Sequence, residues 1–284
     1  MKELTFLILG GDNRSLYLGE YLENQGFKVC YYAFNHTDCY QNLEEAVNAS
    51  DVIILPLPFT KDRLTLNTPL FDDKVLITDI VALLSPKRMV FGGQLPTSFC
   101  EELDSRGCGY CDYFTLDELA IYNAVPTAEG VVQVLIEELP TTIHGMKCAV
   151  LGYGRVGKVI ASTLACLGAE VTVFARSQSA IAEIYASSLK YGSFESLATE
   201  YSDFDAVINT VPARVLGGAE LAHINPDCVL VEVASAPFGI DFQGAKERAF
   251  KVVKAASLPG KVAPKTAGEI IGRSILPMLR RYND

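Results

Sequence analysis

The chain has 284 residues, 49% of them hydrophobic and 20% charged, which is length and composition enough for two domains with separate cores. Its 24 Lys and Arg against 34 Asp and Glu give a net charge of −10, which excludes broad nucleic-acid or anionic-membrane binding and leaves only local basic pockets for small anions. The eight cysteines lack the spacing of a secreted disulfide framework and read as reduced thiols of a cytoplasmic protein.

In chain order, Leu4–Leu9 reads as a strand rather than a signal peptide. Gly10-Gly-Asp-Asn-Arg-Ser15 turns into a helix ending near Gln25-Gly26, and Phe27–Tyr32 is the next strand. These glycines are too few and wrongly spaced for a dinucleotide site. Arg14 and Ser15 nevertheless lie beyond a strand's carboxyl end, where α/β sheets receive ligands. They are candidate hooks for an anionic substrate; a helix cap with an exposed arginine is the plainer reading. Glu44–Ser50 suggests a helix and Asp51–Leu55 a buried strand, after which Pro56-Leu-Pro58 holds the backbone extended. Lys74–Thr78, Met89–Gly92 and Gly109–Tyr113 read as strands, and Glu101–Arg106 as a helix. Cys108-Gly-Tyr-Cys111 has CxxC spacing but no second pair, so it reads as a strand with two thiols and no metal site is expected. No apolar run is expected to reach the ~20 residues that span a bilayer.

Pro126-Thr-Ala-Glu-Gly130 is expected to open a helix, with Thr127 as its N-cap and Val131, Val134 and Leu135 at helical spacing, stopped by Pro140. Glu129 is then left outside the capping box. It is a candidate acid/base or substrate-bonding group, with a carboxylate favoured by the helix N-terminus as the plainer reading.

Cys148–Leu151 is a short apolar run followed at once by Gly152-Tyr-Gly154-Arg-Val-Gly157, a helical pattern to Gly168, and a second strand at Val171–Phe174. Strand, GxGxxG, helix and strand in succession form the dinucleotide fingerprint in its confirming context. Gly152 permits the tight turn, Gly154 lets the backbone approach a pyrophosphate, and Gly157 lets helix and strand pack. Arg155 and Val156 open the helix whose N-terminal N–H groups face the anion. Where an NAD site carries an acid, the chain has Ala175, Arg176 and Ser177. A guanidinium and a hydroxyl suit a 2′-phosphate, so the cofactor is expected to be NADP.

Phe204–Asn209, Val229–Val233 and Val252–Ala255 continue the strands. Thr210, Val211 and Pro212 leave the first of these on the fingerprint's side and are expected beside the nicotinamide ribose. The stretch from Ser257 is expected to close over the ring as a loop until Thr266 caps a helix to Leu279, its end bent or shortened by Pro277. Strands alternating with helices predict an α/β fold of two doubly wound parallel-sheet domains. The expected division is a substrate-side domain over 1–123, an NAD(P)-binding Rossmann domain over 124–265, and a C-terminal helix over 266–284 packing back on the first domain.

Five stretches together resemble the A-subunit family of dipicolinate synthase over nearly the full length. They are Gly10-Gly-Asp-Asn-Arg14, Pro126–Gly130, Gly152–Gly157, Ala234-Ser-Ala-Pro-Phe-Gly239 and Leu258-Pro-Gly-Lys-Val-Ala-Pro-Lys-Thr-Ala-Gly268. The methylenetetrahydrofolate and 2-hydroxyacid dehydrogenases share the two-lobed plan but match less of the chain. The resemblance implies NADP-dependent oxidation of dihydrodipicolinate to dipicolinate in the cytoplasm of a sporulating mother cell, with the flavoprotein-like B-subunit of dipicolinate synthase as partner. Hydride transfer and loss of a ring proton aromatise such a substrate, so the protein mainly positions the ring and holds two carboxylates. Arg14, Ser15, Lys265 and Thr266 are the candidate donors, with Lys265 expected from the second domain. Glu129 and Lys265 are the candidate catalytic groups, with Glu129 or water taking the proton. Another NADP-dependent dehydrogenase of a small carboxylate, and a non-catalytic NADP-sensing protein regulating its partner, are the alternative readings. Self-association is left open.

Overall fold

Short runs of three to five residues, most of them rich in aliphatic or aromatic side chains, become the strands, and the amphipathic stretches between them become the covering helices. The computed structural model describes residues 4–35, 38–197 and 203–283. They form two compact units, Met1–Tyr122 with Ala263–Asp284, and Asn123–Val262.

The first unit contains β1 (Thr5–Leu9), α1 (Asn13–Asn24), β2 (Lys28–Tyr32), α2 (Leu43–Asn48), β3 (Val52–Ile54), α3 (Ile77–Leu83), β4 (Met89–Gly92), α4 (Thr97–Ser105) and β5 (Gly109–Asp112). A long helix, α5 (Asp117–Glu138), follows and carries the chain into the second unit. The second unit continues with β6 (Lys147–Leu151), α6 (Arg155–Cys166), β7 (Glu170–Phe174), α7 (Gln178–Ala186), β8 (Lys190–Gly192), α8 (Phe194–Leu197) and β9 (Ala206–Asn209). Next come α9 (Gly218–Leu221), β10 (Val229–Glu232), α10 (Phe242–Glu247), β11 (Lys251–Lys254) and α11 (Leu258–Val262). The last helix, α12 (Pro264–Asn283), belongs to the first unit.

Each unit holds one parallel sheet. The first has the order β2-β1-β3-β4-β5 and the second β8-β7-β6-β9-β10-β11, the flavodoxin-like and dinucleotide-binding orders of doubly wound folds. Alternation along the strands splits the first unit's core. Leu7, Leu9, Ile53, Leu55 and Val90 face Ala46, Ile80, Phe99 and Leu103 of α2, α3 and α4. Phe6, Ile8, Ile54 and Phe91 face Leu18 and Leu22 of α1, with Ile271 and Ile275 of α12. The two helices meet closely because Gly268 lies on the Arg14 carbonyl and Gly272 on the Tyr21 ring; a Cβ at either would overlap them.

Several boundaries differ from the sequence reading. Lys74–Thr78 is not a strand: Leu76 makes an isolated bridge to Thr65, and α3 begins at Ile77. Ile77, Ile80, Val81 and Leu84 have the helical spacing that decides it. Pro126 does not open a helix, because α5 runs through it. Thr127 is therefore no N-cap; its hydroxyl donates to the Asn123 carbonyl at 2.6 Å inside the helix. Spanning 22 residues, α5 is long and apolar enough to cross a membrane by length and composition, contrary to the expectation that no apolar run approaches that length. It is also the core helix of folded units, burying Leu119 in one core and Val131 and Leu135 in another. Ser257–Thr266 is not an open loop but forms α11 and the start of α12, whose first turn includes Thr266 instead of being capped by it. Leu258 seats α11 against α5, its Cβ 2.8 Å from where a Cβ on Gly130 would stand.

Candidate nucleotide site and its surroundings

In the second unit the β6–α6 turn is built by three glycines with different tasks. Gly152 has φ +96°, and a Cβ there would stand 2.7 Å from both the Thr210 hydroxyl and the Val211 side chain. A Cβ on Gly157 would overlap the Gly152 carbonyl, so only glycine lets α6 start this close to the turn. Gly154 is the opposite case, with nothing within 4 Å of its virtual Cβ. That open side adjoins the N-terminus of α6, whose N-cap Gly154 offers no side-chain bond. The result is a cavity of about 350 Å³ lined by Gly154, Arg155, Val156, Gly157, Thr210, Pro212, Val233, Ala234 and Ser235. Uncapped N–H groups and helix polarity make such a cradle suited to a pyrophosphate.

The opposite wall is braced by a buried pair that the sequence reading missed. Glu232, 2% exposed at the end of β10, accepts four hydrogen bonds. Its Oε1 takes the Asn209 side-chain amide at 2.6 Å and the Ala234 N–H at 3.1 Å. Its Oε2 takes the N–H groups of Gly239 and Ile240, both at 2.9 Å. Asn209, fully buried at the end of β9, grips Val211 in turn, donating to its carbonyl and accepting from its N–H. One carboxylate and one amide thus fix the loops that carry Pro212 and Ala234–Ser235. The Thr210 hydroxyl, donating to the Leu151 carbonyl at 2.8 Å, ties the same wall to β6.

Arg176 is exposed just beyond β7, its guanidinium 5.5 Å from the Phe194 ring centroid. Ser177 is the N-cap of α7, accepting from the Ala180 N–H at 3.2 Å. Its hydroxyl therefore already has a structural task. Glu129 is exposed in the interior of α5 rather than at its N-terminus, with no hydrogen-bond partner among the described residues.

The first unit holds the other singled-out groups, and Lys265 and Thr266 fall there with Arg14 and Ser15, not in the second. Both are exposed in the first turn of α12. Ser15 packs its hydroxyl against Gly11. Arg14 is buried, not an exposed hook: its Nε and Nη2 donate to the Asp12 carboxylate at 2.9 and 2.8 Å, and Nη2 also reaches the Leu57 carbonyl. Nη1 keeps no protein partner among the described residues. Beside it, buried Tyr113 donates to the Leu55 carbonyl at 3.0 Å, and burial holds its phenol above the ordinary range. Arg14→Ala is therefore expected to cost about 1–3 kcal/mol of stability in urea, toward the lower end because the Asp12 side chain is 36% exposed and screened. An unchanged urea midpoint would show that these bonds do not stabilise the unit.

Comparison with known proteins places both units. Residues 5–114 match the N-terminal domain of the dipicolinate synthase A-subunit, and residues 128–238 the NAD-binding domain of the D-isomer specific 2-hydroxyacid dehydrogenases. The chain is 32% identical over 286 residues to the dipicolinate synthase A-subunit of Bacillus subtilis (strain 168), covering 97% of this chain and 96% of that one. The crystal structure of the dipicolinate synthase A-subunit from Bacillus halodurans superposes with a TM-score of 0.90 at 31% identity, covering 98% of each chain. That of its Bacillus subtilis counterpart gives 0.89 at 30%, covering 100% of this chain and 98% of the other. A transhydrogenase from Sinorhizobium meliloti, 15% identical, shares the fold at a TM-score of 0.70, covering 98% of this chain and 94% of the other.

Proposed function

The chain belongs to the A-subunit family of dipicolinate synthase, and from that premise we propose that it oxidises dihydrodipicolinate to dipicolinate with NADP+ during sporulation, in the mother-cell cytoplasm, alongside a B-subunit. At the coarser level it is an oxidoreductase of dehydrogenase type with a nicotinamide cofactor. The observation that carries the proposal is the open face of Gly154 against an uncapped helix N-terminus, with Arg176 instead of an acid beyond the second strand.

When bound, the nicotinamide supplies the hydride acceptor. In this reading the chain's own residues do the rest. Gly154, Val156 and Gly157 hold the pyrophosphate by backbone N–H groups, and Arg155 adds charge beside it. Thr210, Val211 and Pro212, fixed by Asn209 and Glu232, form the wall along the ribose. Arg176 grips the 2′-phosphate, with the Ser177 hydroxyl near it. For the dicarboxylate, Arg14 offers its remaining Nη1 donors, with Ser15, Lys265 and Thr266 as further candidates. Glu129 or water takes the ring proton.

Arg176→Asp is expected to weaken NADP+ binding by roughly 1.5–3 kcal/mol, the scale of a charged hydrogen bond, and to leave NAD+ binding far less changed. Calorimetric titration checks this; equal affinity of the parent chain for both nucleotides would overturn the NADP assignment. The activity is tested by following NADPH formation from freshly generated dihydrodipicolinate, with and without the B-subunit. One observation favours a second reading, an NADP-sensing protein that regulates its partner: among the residues lining the nucleotide cavity Arg155 is the one titratable side chain. Nucleotide binding without turnover in either arm would select that reading.

A further inference from the structure

A larger cavity lies in the first unit, between α3 and α4 at the carboxyl ends of β3 and β4, and encloses about 910 Å³. Its floor is apolar: half-buried Ile77, Val81 and Leu95 line it, backed by the buried Phe59 and Phe99 rings, tilted against each other with centroids 4.5 Å apart. Its rim is cationic. Arg106 is neutralised by Glu102 at 2.9 Å, but the side chains of Lys61 and Arg63 have no partner among the described residues. In a chain of net charge −10, two unpaired cations over an apolar floor are a local reversal of sign.

The backbone is shaped to present them. Asp62, between the two cations, accepts the N–H groups of Leu64 and Thr65 at 2.9 and 2.8 Å and the Thr65 hydroxyl at 2.7 Å. These bonds hold its carboxyl well below the usual carboxylate range and satisfy its charge within the loop. Asp112 does the same for the opposite rim, accepting the N–H groups of Gln94 and Leu95 at 3.0 and 2.9 Å. Arg63 and Gln94 both sit in the left-handed region, at φ 66° and 60°, where glycine or asparagine would cost less. Thr97 and Ser98 complete the rim at the start of α4, which has no side-chain cap.

We propose that this cavity binds a small organic anion, a carboxylate or phosphate carried on an apolar ring, which packs on Ile77, Val81 and Leu95 and sets its charge against Lys61 and Arg63. Its volume lies within the range of small-molecule pockets. No residue of the nucleotide cavity lines it, so the proposal stands independently of the oxidoreductase reading.

The test is calorimetric titration of the full chain with isophthalate as the carboxylate probe and adenosine 5′-monophosphate as the phosphate probe. A Lys61→Ala/Arg63→Asn double variant removes both charges and keeps a residue that tolerates the left-handed region. Ser98→Glu is a second variant, which sets an acid on the rim where the start of α4 tolerates it. We expect at least one probe to bind with a millimolar or tighter constant, weakened at least tenfold in both variants and unchanged in Gly154→Val. The probe that binds identifies the anion class. Absence of binding by both probes, or isotherms of the parent and the two variants that superimpose, would overturn the proposal. Failure of the dehydrogenase reading would show instead as absent turnover with these isotherms intact.

Discussion

A Gly154→Val variant is expected to fold like the parent and to lose nicotinamide-nucleotide affinity by at least about 100-fold, roughly 3 kcal/mol. The two halves of that expectation have separate causes. Folding is spared because Gly154 has φ −85° and ψ −164°, extended backbone open to a branched residue, and because nothing stands within 4 Å of its virtual Cβ. Binding is lost because that empty volume lies beside the α6 N-terminus, where a pyrophosphate would need close backbone approach. Gly157→Val supplies the contrast: its Cβ would overlap the Gly152 carbonyl, so it should lower the melting temperature as well as the affinity. Thermal unfolding and nucleotide titration of both variants check the pair. A Gly154→Val chain with parental affinity would place the nucleotide elsewhere.

The same distinction explains what could be read from the amino-acid order. Gly152, Gly154 and Gly157 announce themselves because the chemistry they serve is local, a turn and the helix it starts. The strands are legible for a similar reason, as short apolar runs ended by turn residues. Pro126 misleads because a proline inside a helix is normally costly, so it reads as a boundary. Only the apolar spacing of Ala124, Ala128, Val131 and Leu135, which begins before Pro126, betrays that α5 runs through it. Asp12 could have been paired with Arg14 from their spacing, since Asp12 also caps α1. The Leu57 carbonyl, 43 residues away, could not. Lys61 and Arg63 are ordinary surface cations until α3 and α4 are folded around Phe59. Glu232 left one trace, a lone acid in the run Val-Leu-Val-Glu-Val, but its four donors come from three separate places in the chain.

Glu232→Gln is expected to cost about 2–4 kcal/mol of stability and to weaken nucleotide binding at least tenfold, although it changes one atom. A carboxylate accepts only, and each oxygen of Glu232 already faces two N–H groups. The glutamine NH2 must replace one of those oxygens. Set toward Gly239 and Ile240, it strands two buried backbone donors. Turned the other way, it meets the Asn209 amide and the Ala234 N–H. Flipping Asn209 does not help, because that amide is fixed by the carbonyl and N–H of Val211. No arrangement satisfies all the groups, and each orphaned buried donor costs about 1–3 kcal/mol. The loops released are those carrying Pro212, Ala234 and Ser235, so the effect reaches the nucleotide cavity without any contact from Glu232 itself. Urea unfolding measures the first term, and calorimetry below the unfolding transition measures the second. A variant that loses stability but binds nucleotide with parental affinity would make Glu232 a purely structural residue. One with a parental urea midpoint would mean that the four bonds do not act together.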